Sequence, residues 1–240
     1  HFLFGVVIPY AAISIFMLGF VFRVLKWARS PVPFRIPTTC GQQKSFPWIK
    51  QNKIENPSSI GGVIVRMALE VFLFRSLFRN LKTQLKDGKL VYGEAKWLWL
   101  AGMAFHWSFL IIFVRHFRFF MQDVPMAIRA IEGLDGFLQI GVPLLYMTDA
   151  VLLGAVTYLF FRRLLIPQVN YISLAADYFP LFLIFGIGAS GVLMRYFNKV
   201  HIVGVKQLVM GLVTFNPVNP QILGGIGAIF YVHLFLICSL

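Results

Sequence analysis

The sequence predicts an all-α fold, a polytopic membrane helix bundle, and three observations carry that prediction. Of its 240 residues 58% are hydrophobic and 13% charged, with a mean hydropathy of +0.76, more apolar side chain than a soluble domain of this size buries. Apolar runs of span length recur along the chain, and ~20 residues of helix cross a ~30 Å hydrocarbon core. Trp and Tyr gather near the ends of those runs, where an amphipathic ring is stable at the membrane–water boundary.

Five spans follow, in order. The first covers about Phe2 to Phe22 and is closed by Arg23, Lys26 and Arg29. Pro9 is tolerable there as a kink. The run is long and ends in basic residues, not at a small-residue cleavage site, so it reads as a span and not as a cleaved signal peptide. Next comes SPVPFRIPTTCGQQKSFPWIKQNKIENPSS, in which Pro31, Pro33, Pro37 and Pro47 leave no room for a long helix. From Gly62 to Lys86, Val63, Met67, Val71, Phe74, Phe78, Leu81 and Leu85 alternate with Arg66, Glu70, Arg75, Arg79 and Lys82. That spacing predicts an amphipathic helix lying on the membrane surface. The second span runs from about Trp97 to Val114, the third from Phe137 to Phe161, and the fourth from Tyr178 to Met194; a fifth apolar run starts near Ile222 and is still apolar at Leu240. A span ending there stops inside the bilayer, so further native residues are expected beyond it. The chain is read as a single membrane domain with its long loop at 23–96.

Basic residues orient this arrangement. Of 22 Lys and Arg, 14 lie between Arg23 and Lys96, and Arg162 and Arg163 share their side; Arg115, Arg118, Arg129, Arg195, Lys199 and Lys206 lie on the other. The positive-inside rule puts the amino terminus outside and the long loop in the cytoplasm. The net charge of +13 then reports topology and anionic headgroups, not nucleic acid. The two cysteines, Cys40 in a polar loop and Cys238 in a span, make neither an iron–sulfur ligand set nor a C-x-x-C-H haem attachment, and they are not placed to form a disulfide.

Functional candidates come from polar groups inside apolar runs. FHWSFLIIFVRHFRFF, Phe105–Phe120, carries His106 and His116, about 15 Å apart along a helix. An imidazole in lipid is costly unless something binds it. Two of them at different depths point to two cofactors stacked across the bilayer, most simply two haems; the alternative is histidines hydrogen-bonded between helices. In the five-span topology His116 and His233 sit at similar depth near the outer side, as bis-histidine ligation requires, and Arg115 and Arg118 stand where they would meet propionates. His201, in a connector, reads as a solvated loop residue. Asp149, in YMTDAVLL, either tunes a ligating His through its Nδ1–H or pairs with an Arg or Thr of the bundle. Gly186, Gly188, Ala189 and Gly191 admit either a helix or a porphyrin face.

Several segments carry a resemblance. F-H-x9-H-F at Phe105–Phe117, RRLLIPQVNYISLAAD at Arg162–Asp177, LVTF at Leu212–Phe215 and YVHLFL at Tyr231–Leu236 resemble the gamma subunit of respiratory nitrate reductase, a five-helix di-haem cytochrome b. The likeness covers most of the chain from about residue 95. SPVPFRIPTTCGQQKS is similar, more particularly, to DsrM, the related membrane subunit of the DsrMKJOP complex of sulfate reducers. The resemblance implies metal (haem-iron) ligation by His106 for an inner haem and by His116 with His233 for an outer one. The inner haem's second ligand is implied further along helix five, past Leu240. It also implies two haem b, menaquinone as substrate, and electron exchange with a cytoplasmic iron–sulfur subunit like DsrK docked on the Arg23–Lys96 region. A periplasmic multihaem cytochrome c and further membrane and iron–sulfur subunits would complete such a complex. Quinone redox chemistry would then be the chain's only catalysis, within that larger complex. Protons from quinol would leave through outer carboxylates, for which Glu132 and Asp135 are candidates; the alternative for both is a solvated loop charge or a helix cap. The nitrate reductase relatives carry a basic residue at the start of helix three; here Arg129, Glu132 and Asp135 stand instead, so quinone contacts do not transfer. The rival reading is a cofactor-free anchor or proton-conducting transporter, but the internal repeats with broken helices common in transporters are not seen.

Overall fold

The structure, a computed structural model, describes residues 1–30, 44, 47–79, 82–93, 95–136 and 144–240. The expectations for the proline-rich segment with Cys40, and for the start of the third span, fall outside these residues. The chain forms two compact units, one of His1–Leu25 with Ala104–Leu240 and one of Lys26–Met103.

Helix dominates the described residues, as the apolar periodicity requires. A π turn, Leu3–Val7, leads into α1, Ile8–Arg29. Pro9 takes the second position of α1, and the wider π register before it accommodates the missing N–H. α4 spans Lys96–His116 and runs on as a 3-10 turn through Phe119. α8, Ala175–Val192, is extended by a π turn to Phe197. By length and composition Leu3–Arg29, Lys96–Phe119 and Ala175–Phe197 can each cross a membrane. α6, Met147–Leu165, and α10, Gly227–Ser239, are the helices within the third and fifth expected spans. Three short helices lie where connectors were expected: α5 (Met126–Asp135), α7 (Pro167–Ile172) and α9 (Ile202–Val213).

In the first unit α8 is the central element, packing on both α6 and α10. Small residues permit this: a Cβ added to Gly188 would sit 3.0 Å from Leu153, and one on Gly186 3.4 Å from Leu236. The π turn, α9 and α10 meet in an apolar cluster of Val6, Val205, Leu208, Ile226, Phe230 and Tyr231. Tyr10 ties α1 to the end of α9 by donating to Leu212 O at 3.0 Å.

The second unit departs from the expected helix over 62–86. α2 covers Ile60–Leu73, capped by Ser59 Oγ, which accepts from Gly62 N; α3 is only Arg75–Arg79. Between them Phe74 has φ 47°, in the left-handed region. The break is held by Glu70, which accepts from both Ser76 N (2.9 Å) and Ser76 Oγ (2.6 Å). Lys82–Lys86 is then a strand, β1, paired antiparallel with β2, Lys89–Gly93. The turn is Asp87-Gly88 with φ of 52° and 72°, the type I′ geometry for which Asp-Gly is the strongest local sequence signal. That signal outweighs the helical spacing of Leu81 and Leu85.

The charged side chains of this corner are engaged within the unit. Arg66 of α2 donates to Glu55 O, and Arg75 Nη1 of α3 lies 2.7 Å from Glu55 Oε1. The outward stripe at i, i+4, i+7 and i+11 is entirely apolar: Ile60, Ile64, Met67 and Val71 are 82%, 63%, 55% and 57% exposed. Trp99, in the first turn of α4, donates from Nε1 to Leu73 O at 2.6 Å, tying the end of α2 to the start of that candidate span.

Glu70 makes this corner sensitive to acid. Burial raises its pKa, but the bonds from Ser76 and the charges of Arg75 and Arg66 together hold the carboxyl below its ordinary value. A depressed carboxyl stabilises above its unfolded pKa, and the contribution disappears as pH falls through the folded one. Intrinsic-corrected hydrogen exchange at the Ser76 amide should therefore speed up on acidification below about pH 4.5, and Glu70→Gln should remove that dependence. Equal pH dependence in wild type and variant would contradict this.

Candidate functional site

Three of the sequence-predicted residues come from two helices of the first unit. His106 and His116 lie on α4; ten residues advance about 1000°, so their side chains leave the helix about 80° apart. Both are exposed on α4, whereas His233, two turns into α10, is 7% exposed. The turn preceding α10 sets its height: Gly225 and Gly227 have φ of +81° and +71°, where L side chains are strained. Gly225 O accepts from His201 N at 3.1 Å. His201 itself caps α9, accepting from Gly204 N at 3.3 Å. His116 and His233 lie within electrostatic reach of each other, on different helices.

Hydrogen bonding distinguishes the two nitrogens of each ring. His116 Nδ1 is 2.7 Å from Ile112 O; a carbonyl only accepts, so Nδ1 carries the proton. His233 Nδ1 is 2.8 Å from Ser190 Oγ, and that hydroxyl also lies 2.7 Å from Gly186 O and 3.0 Å from Ile187 O. Its one proton goes to a carbonyl of its own helix, which leaves the oxygen to accept from His233 Nδ1–H. In both rings Nε2 is therefore the unprotonated nitrogen, the form in which imidazole ligates a metal. Among the described residues no three His, Cys, Asp or Glu side chains converge as a metal cage would. An iron already held by a porphyrin asks the protein only for axial donors, and two neutral imidazoles on different helices fit that need.

Beside His116 lies a buried ionic network. Arg115, 7% exposed, places Nη2 2.8 Å from Asp149 Oδ1 and Nε 3.2 Å from Asp135 Oδ2. Asp135 accepts from Thr148 N (2.9 Å) and Thr148 Oγ1 (2.6 Å), so it caps α6 from the end of α5. Asp149 is the third residue of α6, where the helix dipole favours a carboxylate. Its second oxygen is 3.3 Å from Tyr196 OH. The Tyr146 ring lies under both Arg115 and Arg195, their guanidinium carbons 3.7 and 4.0 Å from its centroid. Arg195 also donates to Leu144 O at 3.1 Å.

This geometry sets each remaining expectation in place. Arg115, expected to face propionates, has its guanidinium committed to two carboxylates. Asp149 has the Arg partner that was one of its two readings, and it opens α6 instead of lying mid-span. Asp135 is saturated by Thr148 and Arg115, while Glu132, on α5, pairs with Arg118 at 2.9 Å. Gly186 and Gly188 receive helices, and Gly191 faces the His233 ring, with a Cβ there 3.5 Å from Cε1. Ser190, Tyr146, Arg195 and Tyr196 were not foreseen. Ser190 had a signal, since a hydroxyl in an apolar span must bond something, but spacing does not say what.

Two curated proteins are similar over nearly the whole chain. The Hdr-like menaquinol oxidoreductase cytochrome b-like subunit of Archaeoglobus fulgidus is 40% identical over 238 residues, 98% of this chain and 71% of that protein. Its counterpart of the same name in Archaeoglobus profundus is 41% identical over 236 residues, 96% and 70%. No protein-family model matches the chain.

Removing one partner of a buried ion pair costs about 3–5 kcal/mol, whereas replacing the whole set by neutral groups costs much less. Arg115→Met should therefore lower the temperature at which helical circular dichroism is lost in detergent. Arg115→Met with Asp149→Asn, which removes one charge of each sign and leaves Asp135 with Arg195 in the cluster, should recover most of that loss. A double variant no more stable than the single would show that the charges do not balance one another.

Proposed function

Because the chain belongs to the family of Hdr-like menaquinol oxidoreductase cytochrome b-like subunits, we propose that it is a b-type di-haem subunit of a respiratory membrane complex. It exchanges electrons between menaquinol near the outer face and a cytoplasmic iron–sulfur partner. His116 and His233 hold one haem, and His106 supplies an axial position of the other. The observation that carries this reading is the matched state of His116 and His233, each with Nδ1 engaged as a donor and Nε2 left as a lone pair.

A haem, when bound, takes one electron at a time from a two-electron quinol. The residues do the rest. Ile112 O and Ser190 Oγ hold both imidazoles in the tautomer that ligates through Nε2. α8 brings Gly191 against the His233 ring, so no side chain from that position presses on it. Arg115 stays paired with Asp135 and Asp149, which leaves Arg118, 39% exposed in its side chain, as the propionate partner. Glu132, bonded to Arg118, is the carboxylate placed to take a proton from quinol, and Asp135 is the poorer candidate because Thr148 and Arg115 already engage its oxygens.

We carry the five-span topology, with the amino terminus outside and a prokaryotic cytoplasmic membrane, into this reading. The apolar stripe of α2 lies in the membrane surface, and its tie to the start of α4 through Trp99 supports that placement. The basic 23–96 region is the docking face for an iron–sulfur subunit of the DsrK kind, within a complex serving sulfate or sulfite reduction. A periplasmic multihaem cytochrome c and further membrane and iron–sulfur subunits complete it.

The purified chain, reduced with dithionite, should show b-type bands in a reduced-minus-oxidised spectrum at about two haems per polypeptide. His116→Ala and His233→Ala should remove the same haem and His106→Ala the other. A colourless preparation would end the haem reading, and loss of different haems from the first two variants would end the pairing.

A further inference from the structure

The imidazoles of His116 and His233 differ in what holds their Nδ1–H. For His116 it is a backbone carbonyl of its own helix, Ile112 O, which no substitution alters. For His233 it is a side chain on another helix, Ser190 of α8, buried at 7% exposure, with the Ile187 carbonyl of that helix also within reach of the ring. A serine in an apolar helix commonly returns its proton to the i−4 or i−3 carbonyl and does nothing more. Ser190 does return its proton, to Gly186 O or Ile187 O, and the remaining lone pair meets His233 Nδ1 at 2.8 Å. The hydroxyl thus links α8 to α10 at the height of the ring and fixes its tautomer and rotation together.

We infer that Ser190 is a positioning residue for the His233 ligand and sets the redox poise of the haem that His233 holds. Ser190 has this role only if His233 is an axial ligand, as proposed above. The physical basis is the polarisation of the imidazole. An acceptor on Nδ1–H pushes electron density toward Nε2, makes it the more basic ligand, and so favours ferric over ferrous iron. Removing the acceptor weakens ligation and favours reduction. Other charged or titratable groups near the pair, Arg115 and Asp149, lie on the His116 side. They are retained in the variants below.

The test is a potentiometric titration of the haem bands in purified wild type, Ser190→Ala, Ser190→Thr and His233→Ala, with haem stoichiometry measured on each. In Ser190→Ala one haem, the one absent from His233→Ala, should become easier to reduce by up to tenfold in its ferric-to-ferrous equilibrium. For one electron that is an upward shift of up to about 59 mV. The other haem should keep its potential, and Ser190→Thr, which retains the hydroxyl, should lie close to wild type. Selective loss of that same haem from Ser190→Ala, with retention in Ser190→Thr, would support the same role through affinity, where outer partners are worth about 10- to 100-fold. Two bound haems with unchanged potentials in Ser190→Ala would overturn it, as would loss of both haems from Ser190→Ala and Ser190→Thr alike. Retention of both haems by His233→Ala is a different result: it would dispose of the ligand assignment itself.

Discussion

An imidazole in hydrocarbon must have both nitrogens occupied, and much of this bundle is arranged by that constraint. The hydrophobic effect gives no preference among apolar helix faces inside lipid, so polar contacts and close packing decide which helices meet. α8 meets α10 where Ser190 reaches His233 and where Gly186 admits Leu236. It meets α6 where Gly188 admits Leu153. The glycines and the one serine of α8 therefore fix both the position and the chemistry of His233. In the proposed reading the nitrogen left over on each ring is satisfied by iron.

The second organising feature is the ionic network at the end of α4. Two arginines, two aspartates and Tyr146 bind the ends of α4, α5, α6 and α8 together, and their formal charges cancel. Placing a neutral cluster next to His116 leaves the imidazole without a strong local field of either sign. It also divides labour between neighbouring arginines. Arg115 turns inward to hold the bundle, while Arg118 remains accessible and brings Glu132 with it.

Much of the fold was legible in the sequence because the lipid environment makes apolar length informative. Leu3–Arg29, Lys96–Phe119 and Ala175–Phe197 coincide with runs that hydropathy alone picks out. The short helices α5, α7 and α9 were not legible, since at 10, 6 and 12 residues each is too short to read as a span. The 62–86 segment misled because its helical spacing is genuine through Leu73. Local chemistry then wins, through Glu70 turning back on Ser76 and the Asp87-Gly88 turn. At the site, the histidines were legible because an ionisable group in lipid is rare. The role of Arg115 was not, because the sequence places it beside a candidate ligand but does not reveal that Asp135 and Asp149, 20 and 34 residues later, converge on it.

The central claim is that Nε2 of His116 and Nε2 of His233 clamp one iron. An experimental density map of the pigmented chain, with anomalous scattering at the iron edge, tests it most directly. The account predicts one iron peak between these two nitrogens, with the Nδ1 atoms still bonded to Ile112 O and Ser190 Oγ. Iron bound through Nδ1, or separate irons each touching only one of the two rings, would contradict it.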